Sequence, residues 1–474
     1  GKFGGDTDNW IWPRHTGDFS MFRVYASKDN RPAAYSPQNV PYRPKKHFSI
    51  STKGVKEGDF TMIYGFPGNT QEYILSDAVA YIAERSDPAK IAIRTGRLDI
   101  ITKAQESDPA LRIHYAAKHA SIANAWKKWQ GEALGIDRRG TVAAKFDYET
   151  QFGLWSVGRP EYAGVVMGLR AEYDRIMDAY FAYEITRETL STLPAAYTPE
   201  ERAEECFARR KSAEQALWRH AFREYGRCPK VYRTPSYAEG MARYKSPEAY
   251  ADALFEAVWE GSDSVAMQPA VRLREETKRM LDHISWMLGT KSLRNLNSKI
   301  LNELYTTYIK GLREWDRERA FYPDANLTLR VAYGSVAGYE YADGEYHKPQ
   351  TTLDGIIAKD NPEIYDYDIP QSLRDLYASK NYGRWGTVID GRRTVPVCFL
   401  ATNHTTGGNS GSPVLNAGGE LIGINFDRTW RSTMSDIAFD PAICRNIAVD
   451  IRYVLFVVDR VGGAGYLLKE MTLK

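Results

Sequence analysis

The stretch GGNSGSPV, Gly407–Val414, decides how this sequence is interpreted. Glycines on both sides of Ser410 allow a tight turn and let another molecule approach the serine hydroxyl. On such a turn the backbone N–H groups of Gly408 and Ser410 can converge on one point and hold an oxyanion. The segment Glu420–Phe426 then predicts a strand that walls a binding cleft. Ser410 is therefore a candidate nucleophile beside a candidate oxyanion hole. The alternative is an ordinary Gly/Ser-rich hairpin.

A serine nucleophile needs a base, normally His, and a carboxylate that orients the base. The sequence has eight histidines, and none has a convincing context for this role. His15 is too close to Asp18 in sequence for the usual arrangement. His404 precedes Ser410 by six residues and is predicted to be structural. Asp18 comes directly before a predicted strand, where a triad carboxylate could be held in place.

The second dense motif is GGDTDNWIWPRHTGDFS, Gly4–Ser20, which combines two Trp, three Asp and an Arg–His pair. A packed, hydrogen-bonded loop is the alternative for most of these side chains. The chain opens at Gly1, close to this motif, with no Met, no basic region and no apolar leader. We therefore expect a fragment, or a chain whose N-terminal part has been removed.

Composition excludes several classes of protein. The chain has 474 residues, 43% hydrophobic and 26% charged, which is typical of globular proteins and predicts two to four domains. Its net charge of +3 gives no support for a nucleic-acid partner. No apolar run approaches the ~20 residues of a membrane span. No metal-ligand or phosphate-loop motif is present, so we expect no metal and no cofactor.

The hydrophobic period changes twice along the chain and predicts three domains, 1–75, 76–320 and 321–474. The first and last are predicted to be β structure, the middle one helical. The predicted strands are Phe19–Val24, Asp59–Tyr64, Leu327–Tyr333, Val395–Ala401 and Glu420–Phe426. The clearest predicted helices are Pro199–Tyr225, Ser246–Trp259 and Val271–Leu288.

The Ser410 motif resembles the nucleophile element of chymotrypsin-like serine peptidases. With Gly4–Ser20 and the helical block, the whole chain resembles the bacterial serine dipeptidyl peptidases of the dipeptidyl-peptidase 7 and 11 group. The resemblance implies an α+β fold: a chymotrypsin-like double β-barrel, its first barrel incomplete here, with an inserted α-helical cap domain. It also implies a homodimeric hydrolase, an aminopeptidase in the periplasm or on the surface of a Gram-negative bacterium.

Carried over residue by residue, the resemblance makes Ser410 the nucleophile and Asp18 the triad aspartate. The family's histidine comes from a segment upstream of Gly1. The chain as printed is therefore expected to be inactive by itself.

An exopeptidase must recognise the α-ammonium of its substrate, which favours a carboxylate and amide oxygens near the cleft. The residues that match the family's anchor are Asn9, Trp10, Asn124 and Asp427. On sequence alone, Asn124 is a solvated helix residue that only the resemblance selects, and Asp427 is equally a local partner of Arg428.

Arg428, 18 residues after Ser410, lies at the end of the predicted cleft strand. A guanidinium there suits bidentate pairing with a substrate carboxylate. The resemblance links Arg at this place to Asp/Glu-selective members, and Gly to members that prefer apolar residues. Alternatively, Arg428 points to solvent or neutralises Asp427.

The leading hypothesis is a serine exopeptidase that releases dipeptides with Asp or Glu second. The alternatives are the same peptidase with broad or apolar specificity, a chymotrypsin-like endopeptidase, and a non-catalytic helical scaffold.

Overall fold

The computed structural model describes residues 7–17, 19–261, 264–289 and 295–474. The chain divides into two compact units. One, the sheet unit, combines residues 1–72 with 324–474, and the other, the helical unit, is Tyr73–Pro323. The predicted division into three domains stays a prediction.

The strands of the sheet unit are short. They are β1 Tyr25–Ala26, β2 Val40–Pro41, β3 Phe60–Gly65, β4 Arg330–Ser335, β5 Tyr339–Ala342, β6 Glu345–His347, β7 Gln350–Thr352, β8 Thr387–Ile389, β9 Arg392–Thr394, β10 Pro396–Ala401, β11 Pro413–Leu415, β12 Leu421–Arg428 and β13 Asn446–Asp450. The sheet unit also contains α12 Leu353–Ala358, α13 Gln371–Ser379 and α14 Ile451–Phe456. The predicted strands at Asp59–Tyr64, Val395–Ala401 and Glu420–Phe426 are confirmed within a few residues as β3, β10 and β12.

Among the described residues, seven strands form the main sheet in the order β4-β3-β11-β12-β13-β10-β7. Ile63, Val414 and Phe399 point into one buried cluster from three of these strands. Burial of this apolar face is the main force that fixes the register, because a one-residue slip would expose it. The register holds the β10–β11 loop and the end of β12 together, and Ser410 lies on that loop.

The coarse prediction of mixed helix and sheet is confirmed, but the predicted double barrel is not. The main sheet has two edges, β4 and β7, and is not closed by a continuous ladder. A single antiparallel bridge, Val336–Ala401, links the chain after β4 to the end of β10.

The helical unit has a core of buried aromatic and aliphatic side chains, among them Phe152, Tyr173, Phe222 and Phe255. Its α-helices are α1 Ser76–Ala80, α2 Asp87–Ser107, α3 Pro109–Arg138, α4 Thr141–Ser156, α5 Val165–Glu188, α6 Pro199–Ala203, α7 Lys211–Tyr225, α8 Pro235–Tyr244, α9 Pro247–Glu260, α10 Ser264–Leu288 and α11 Lys299–Trp315. The predicted helices Ser246–Trp259 and Val271–Leu288 are confirmed as α9 and the greater part of α10.

The predicted helix Pro199–Tyr225 is wrong as a single element. It starts as expected, with a capping box between Thr198 and Glu201, but α6 ends after one turn. Arg202 donates to the terminal carbonyls of α9, including Trp259 O at 2.6 Å, and the Phe207 ring stacks on Trp259 at 4.2 Å. These tertiary contacts outweigh the helix propensity of the intervening residues.

The predicted strand Phe19–Val24 is also wrong. It pairs with no other described strand, and Phe22 is 88% exposed. Alternation of apolar and polar residues does not make a strand where no neighbouring strand pairs with it.

No helix in the described ranges combines the length and apolar character required to cross a bilayer.

Candidate active site

The loop that carries Ser410 is held by the buried side chain of Asn409. Asn409 Oδ1 accepts the Thr406 N–H at 3.1 Å. The Asn409 N–H donates to Thr406 O at 3.1 Å, and Asn409 O accepts the Ser412 N–H at 3.0 Å. These local bonds close a tight turn. Ser410 is therefore presented at its exposed tip.

Asn425, in the middle of β12, joins this loop to the sheet. Its Nδ2 donates to Asn409 O at 3.1 Å, and its Oδ1 accepts from Asn446 Nδ2 at 2.8 Å. Its carbonyl accepts the Gly411 N–H at 2.7 Å. The sequence analysis missed Asn425. The signal was a polar amide inside an otherwise apolar strand, where Asn is disfavoured.

Gly408 is required by the geometry of the loop. Its φ is +107°, and an added Cβ would lie 2.3 Å from Phe66 O. Only glycine fits both conditions. Among the described residues, none accepts a hydrogen bond from the N–H of Gly408 or of Ser410. An oxyanion hole needs two N–H donors close together on a tight turn, and Gly408 and Ser410 supply them.

Ser410 Oγ donates to Phe426 O at 3.4 Å, its sole hydrogen-bond partner within the described ranges. Phe426 lies at a bulge, because the β12–β13 register passes from Asn425 directly to Asp427. A bulge bends the strand and redirects the residues after it. Asp427 and Arg428 follow immediately.

The histidines of the sheet unit have other partners. His404 stacks on Phe439 at 4.3 Å and contacts Ser435 O through Nε2 at 3.1 Å, and burial lowers its pKa. His15 packs against Gly355, where an added Cβ would be 2.0 Å from the ring. Burial, with the nearby charge of Lys359, lowers the pKa of His15 to about 4.

Asp427 bonds three groups and its side chain is only 9% exposed. Its Oδ2 accepts the Trp10 N–H at 2.9 Å and pairs with Arg14. Its Oδ1 accepts the Arg428 N–H at 2.8 Å. Trp10 has a φ of +68°, which is uncommon for a bulky residue. The Trp430 N–H, 2.6 Å from Trp10 O, helps to hold it there. Backbone strain of this kind is concentrated at functional sites.

Arg428 is buried, with only 4% of its surface exposed. It does not point to solvent, and its guanidinium pairs with Asp436 instead of Asp427. The guanidinium carbon lies 5.4 Å from the centre of the Trp10 ring. The structure thus brings together three of the predicted substrate residues: Trp10, Asp427 and Arg428. Arg14, inside the Gly4–Ser20 motif, and Asp436, which belongs to no recognised motif, were not predicted as site residues.

The remaining predicted residues are distributed as follows. Asn9 is half-buried next to Trp10 in sequence, whereas Asn124 is exposed on α3 of the helical unit. The predicted triad carboxylate, Asp18, lies outside the described residues. The roles of all three stay predictions.

The sequence contains no metal motif, but the fold brings one set of ligating atoms together. His114, Glu204 and Cys206 of the helical unit place such atoms within 4.8 Å of one another. Arg210 Nη1 lies 2.7 Å from His114 Nε2 and 3.4 Å from Glu204. Because a guanidinium cation already contacts both groups, the cluster is disfavoured as a cation site. The expected absence of a metal stays a prediction.

The chain is similar to known peptidases along its whole length. A sequence profile of the Peptidase S46 family matches residues 1–199 and 196–473. The Asp/Glu-specific dipeptidyl-peptidase of Capnocytophaga gingivalis is 41% identical over 519 residues, which cover 100% of this chain and 71% of the relative. The dipeptidyl-peptidase 7 of Phocaeicola vulgatus is 34% identical, with 100% and 71% covered. The crystal structure of Porphyromonas endodontalis DPP11 with the dipeptide Arg-Glu is 33% identical and superposes with a TM-score of 0.84, covering 100% of this chain and 73% of that chain.

Proposed function

The chain belongs to the peptidase S46 family, and on that premise we propose that it is a serine dipeptidyl peptidase. It removes dipeptides from the N-termini of peptides and prefers Asp or Glu as the second residue. The observation that carries the proposal is the Ser410 loop, with an exposed hydroxyl beside two N–H donors that have no acceptor among the described residues. The Asp/Glu specificity of the Capnocytophaga relative supports the acidic preference.

The reaction follows from these positions. Ser410 Oγ attacks the carbonyl carbon of the second residue and gives its proton to a base. The N–H groups of Gly408 and Ser410 stabilise the negative oxygen of the tetrahedral intermediate. The base returns the proton to the leaving amine, and the shortened peptide departs. Water then hydrolyses the dipeptidyl ester and regenerates Ser410.

We assign the proton transfer to a histidine that is not among the eight in this sequence. His404 and His15 are engaged elsewhere, and among the described residues no histidine contacts Ser410 Oγ. The family resemblance assigns Asp18 to orient that histidine. The printed chain alone is therefore expected to be inactive, and the experiments below use the full-length protein.

Arg428 is the proposed recognition group for the acidic side chain. It lies on the same strand, two residues beyond Phe426, whose carbonyl accepts from the nucleophile. Asp427 and Trp10, with Asn9, are proposed to form the wall that meets the substrate's N-terminus. The assignment of Asn124 rests on the resemblance alone.

The test measures release of a fluorophore from dipeptidyl substrates that carry Asp, Glu or Leu in the second position. We expect fast cleavage after Asp and Glu and slow cleavage after Leu. An N-acetylated Asp substrate should resist cleavage. Cleavage of the acetylated substrate would instead identify an endopeptidase.

A second candidate is the same peptidase with broad or apolar specificity. It is favoured by the pairing of Arg428 with Asp436, which neutralises the charge in the pocket, and by the similarity to a dipeptidyl-peptidase 7. Preference for Leu in the same panel would establish it. Absence of all cleavage, with no labelling of Ser410 by a fluorophosphonate, would favour a non-catalytic scaffold.

Three finer features rest on the family resemblance. We propose that the strands of residues 321–474 in the main sheet belong to the second chymotrypsin-like barrel, and the Val336–Ala401 bridge supports this. We also propose a homodimer and a periplasmic or cell-surface location in a Gram-negative bacterium. Sedimentation and cell fractionation test the latter two.

A further inference from the structure

Asp436 lies at the end of the short 3₁₀ helix Trp430–Asp436, which follows β12 almost directly. Both of its carboxylate oxygens pair with Arg428. The Nη1–Oδ1 distance is 2.6 Å and the Nη2–Oδ2 distance is 2.8 Å. The geometry is bidentate, and Asp436 is itself only 8% exposed. A bidentate pair fixes the plane and the direction of a guanidinium, not merely its position.

Two further groups accept hydrogen bonds from the Arg428 guanidinium. Its Nη1 also donates to Ser435 Oγ at 2.7 Å and to Thr405 O at 3.2 Å. Thr405 belongs to the segment that leads into the nucleophile loop. The orientation of Arg428 is therefore coupled to the loop that presents Ser410.

The charges of this region balance. Arg14 pairs with Asp427, and Arg428 pairs with Asp436. Each of these two arginines is thus neutralised by an aspartate, so neither offers an uncompensated charge to an acidic side chain. Discrimination between Asp and Leu must then come from hydrogen bonds that are correctly directed. Directed donors require a fixed guanidinium.

We propose that Asp436 is a positioning residue that holds Arg428 in the direction required to recognise the acidic second residue of the substrate. This inference rests on the proposed function. Asp436 does not contact the substrate and acts only through Arg428.

The experiment is a double-mutant cycle in the full-length protein, with kcat and KM measured for Asp and Leu substrates. In Asp436→Asn, the amide N–H faces one guanidinium nitrogen, so only one of the two parallel N–H···O bonds to Arg428 can form. We expect kcat/KM for the Asp substrate to fall by about tenfold, mainly through KM, the size expected for loss of a directed charged hydrogen bond. For the Leu substrate we expect a change below about twofold. Arg428→Met should abolish the acidic preference.

The double variant decides how Asp436 acts. If it works only through Arg428, the double variant has the same Asp-to-Leu ratio as Arg428→Met alone. If the two substitutions lowered the Asp-to-Leu ratio of kcat/KM additively, the inference would be overturned. Equal losses of kcat/KM for the Asp and Leu substrates in Asp436→Asn would also overturn it and leave Asp436 a purely structural role. An unchanged ratio in Asp436→Asn would overturn it as well.

Asp360→Asn is the matched control. Asp360 forms a bidentate pair with Arg374 in the same unit, at 2.7 and 2.8 Å, and its loss should leave the ratio unchanged. If Asp436→Asn does not fold, Asp436→Glu keeps a counter-charge for Arg428 but shifts the carboxylate by one methylene and disturbs the bidentate geometry. That variant should lower the ratio of kcat/KM for Asp to Leu substrates by about two- to threefold, and an unchanged ratio overturns the proposal. Failure of the wild-type protein to cleave the Asp substrate would instead refute the proposed function.

Discussion

The nucleophile loop, residues 405–412, and the arginine–aspartate cluster of Arg14, Asp427, Arg428 and Asp436 differ in how they are held together. The loop is closed by Asn409, whose side chain bonds the backbone three residues earlier, and it is anchored to one strand by Asn425. The cluster joins residues that lie far apart in sequence: Trp10 and Asp427 are separated by 417 positions and still share a hydrogen bond. The loop therefore depends on backbone conformation, and the cluster on the packing of the whole sheet unit. The two should fail in different ways when mutated.

The largest effect is expected for Ser410→Ala in the full-length protein. The variant should lose activity by at least about 10³-fold, because the nucleophile is gone while the oxyanion donors remain. The thermal midpoint should not change, since Ser410 is exposed and its one hydrogen bond is long. A variant that keeps its activity would remove Ser410 from the mechanism.

Gly408→Ala tests whether the loop depends on backbone conformation. The added methyl group would lie 2.3 Å from Phe66 O at a φ of +107°. We expect activity to fall by about 10²-fold, as for loss of one oxyanion donor. The control is Gly407→Ala, where an added Cβ meets nothing within 4 Å. Equal activity in the two variants would contradict the assigned role of Gly408.

Asp427→Asn tests the cluster through stability. The substitution leaves the buried Arg14 without its full counter-charge, and the cost of breaking such a pair is about 3–5 kcal/mol. The free energy of unfolding from urea titration should fall by that amount. Arg23→Met, which removes an exposed pair with Glu470, should change it by less than about 1 kcal/mol. Similar losses for the two variants would contradict this role of Asp427 in the cluster.

The smallest effect concerns pH. Burial lowers the pKa of His15 to about 4 from its usual 6.5, so the unfolded chain binds more protons than the folded chain between these values. Stability should therefore rise as pH rises from about 4 to 6.5 and be lost as pH falls through that range. His15→Gln should flatten this part of the profile, whereas His47→Gln, at an exposed position, should not. Identical slopes in the wild type and His15→Gln would exclude this contribution.

The loop was predictable from sequence for a physical reason. Glycines at 408 and 411 have positive φ, which few other residues tolerate. Such conformational constraints act within a few residues, so they produce a short sequence motif that can be recognised without the structure. The core strands were found for a similar reason, since β10 is buried at every position and reads as an apolar run.

Two other elements could not be predicted from local sequence patterns. The helix predicted at Pro199–Tyr225 is broken because Arg202 and Phe207 bind α9, a contact that no local pattern indicates. The segment Phe19–Val24 alternates like a strand but pairs with no described neighbour. In both cases long-range partners decide the conformation, and local propensity is too weak to oppose them.

By itself, the sequence determined the candidate nucleophile, the oxyanion donors and the resemblance that implies acidic specificity. Each of these depends on residue types at short, fixed spacing. Only the tertiary structure decided that Arg428 pairs with Asp436, that Asp427 binds Trp10 and Arg14, and that Asn425 holds the loop. A buried charge must find a partner wherever the fold supplies one. That partner is set by strand register and packing, not by distance along the chain.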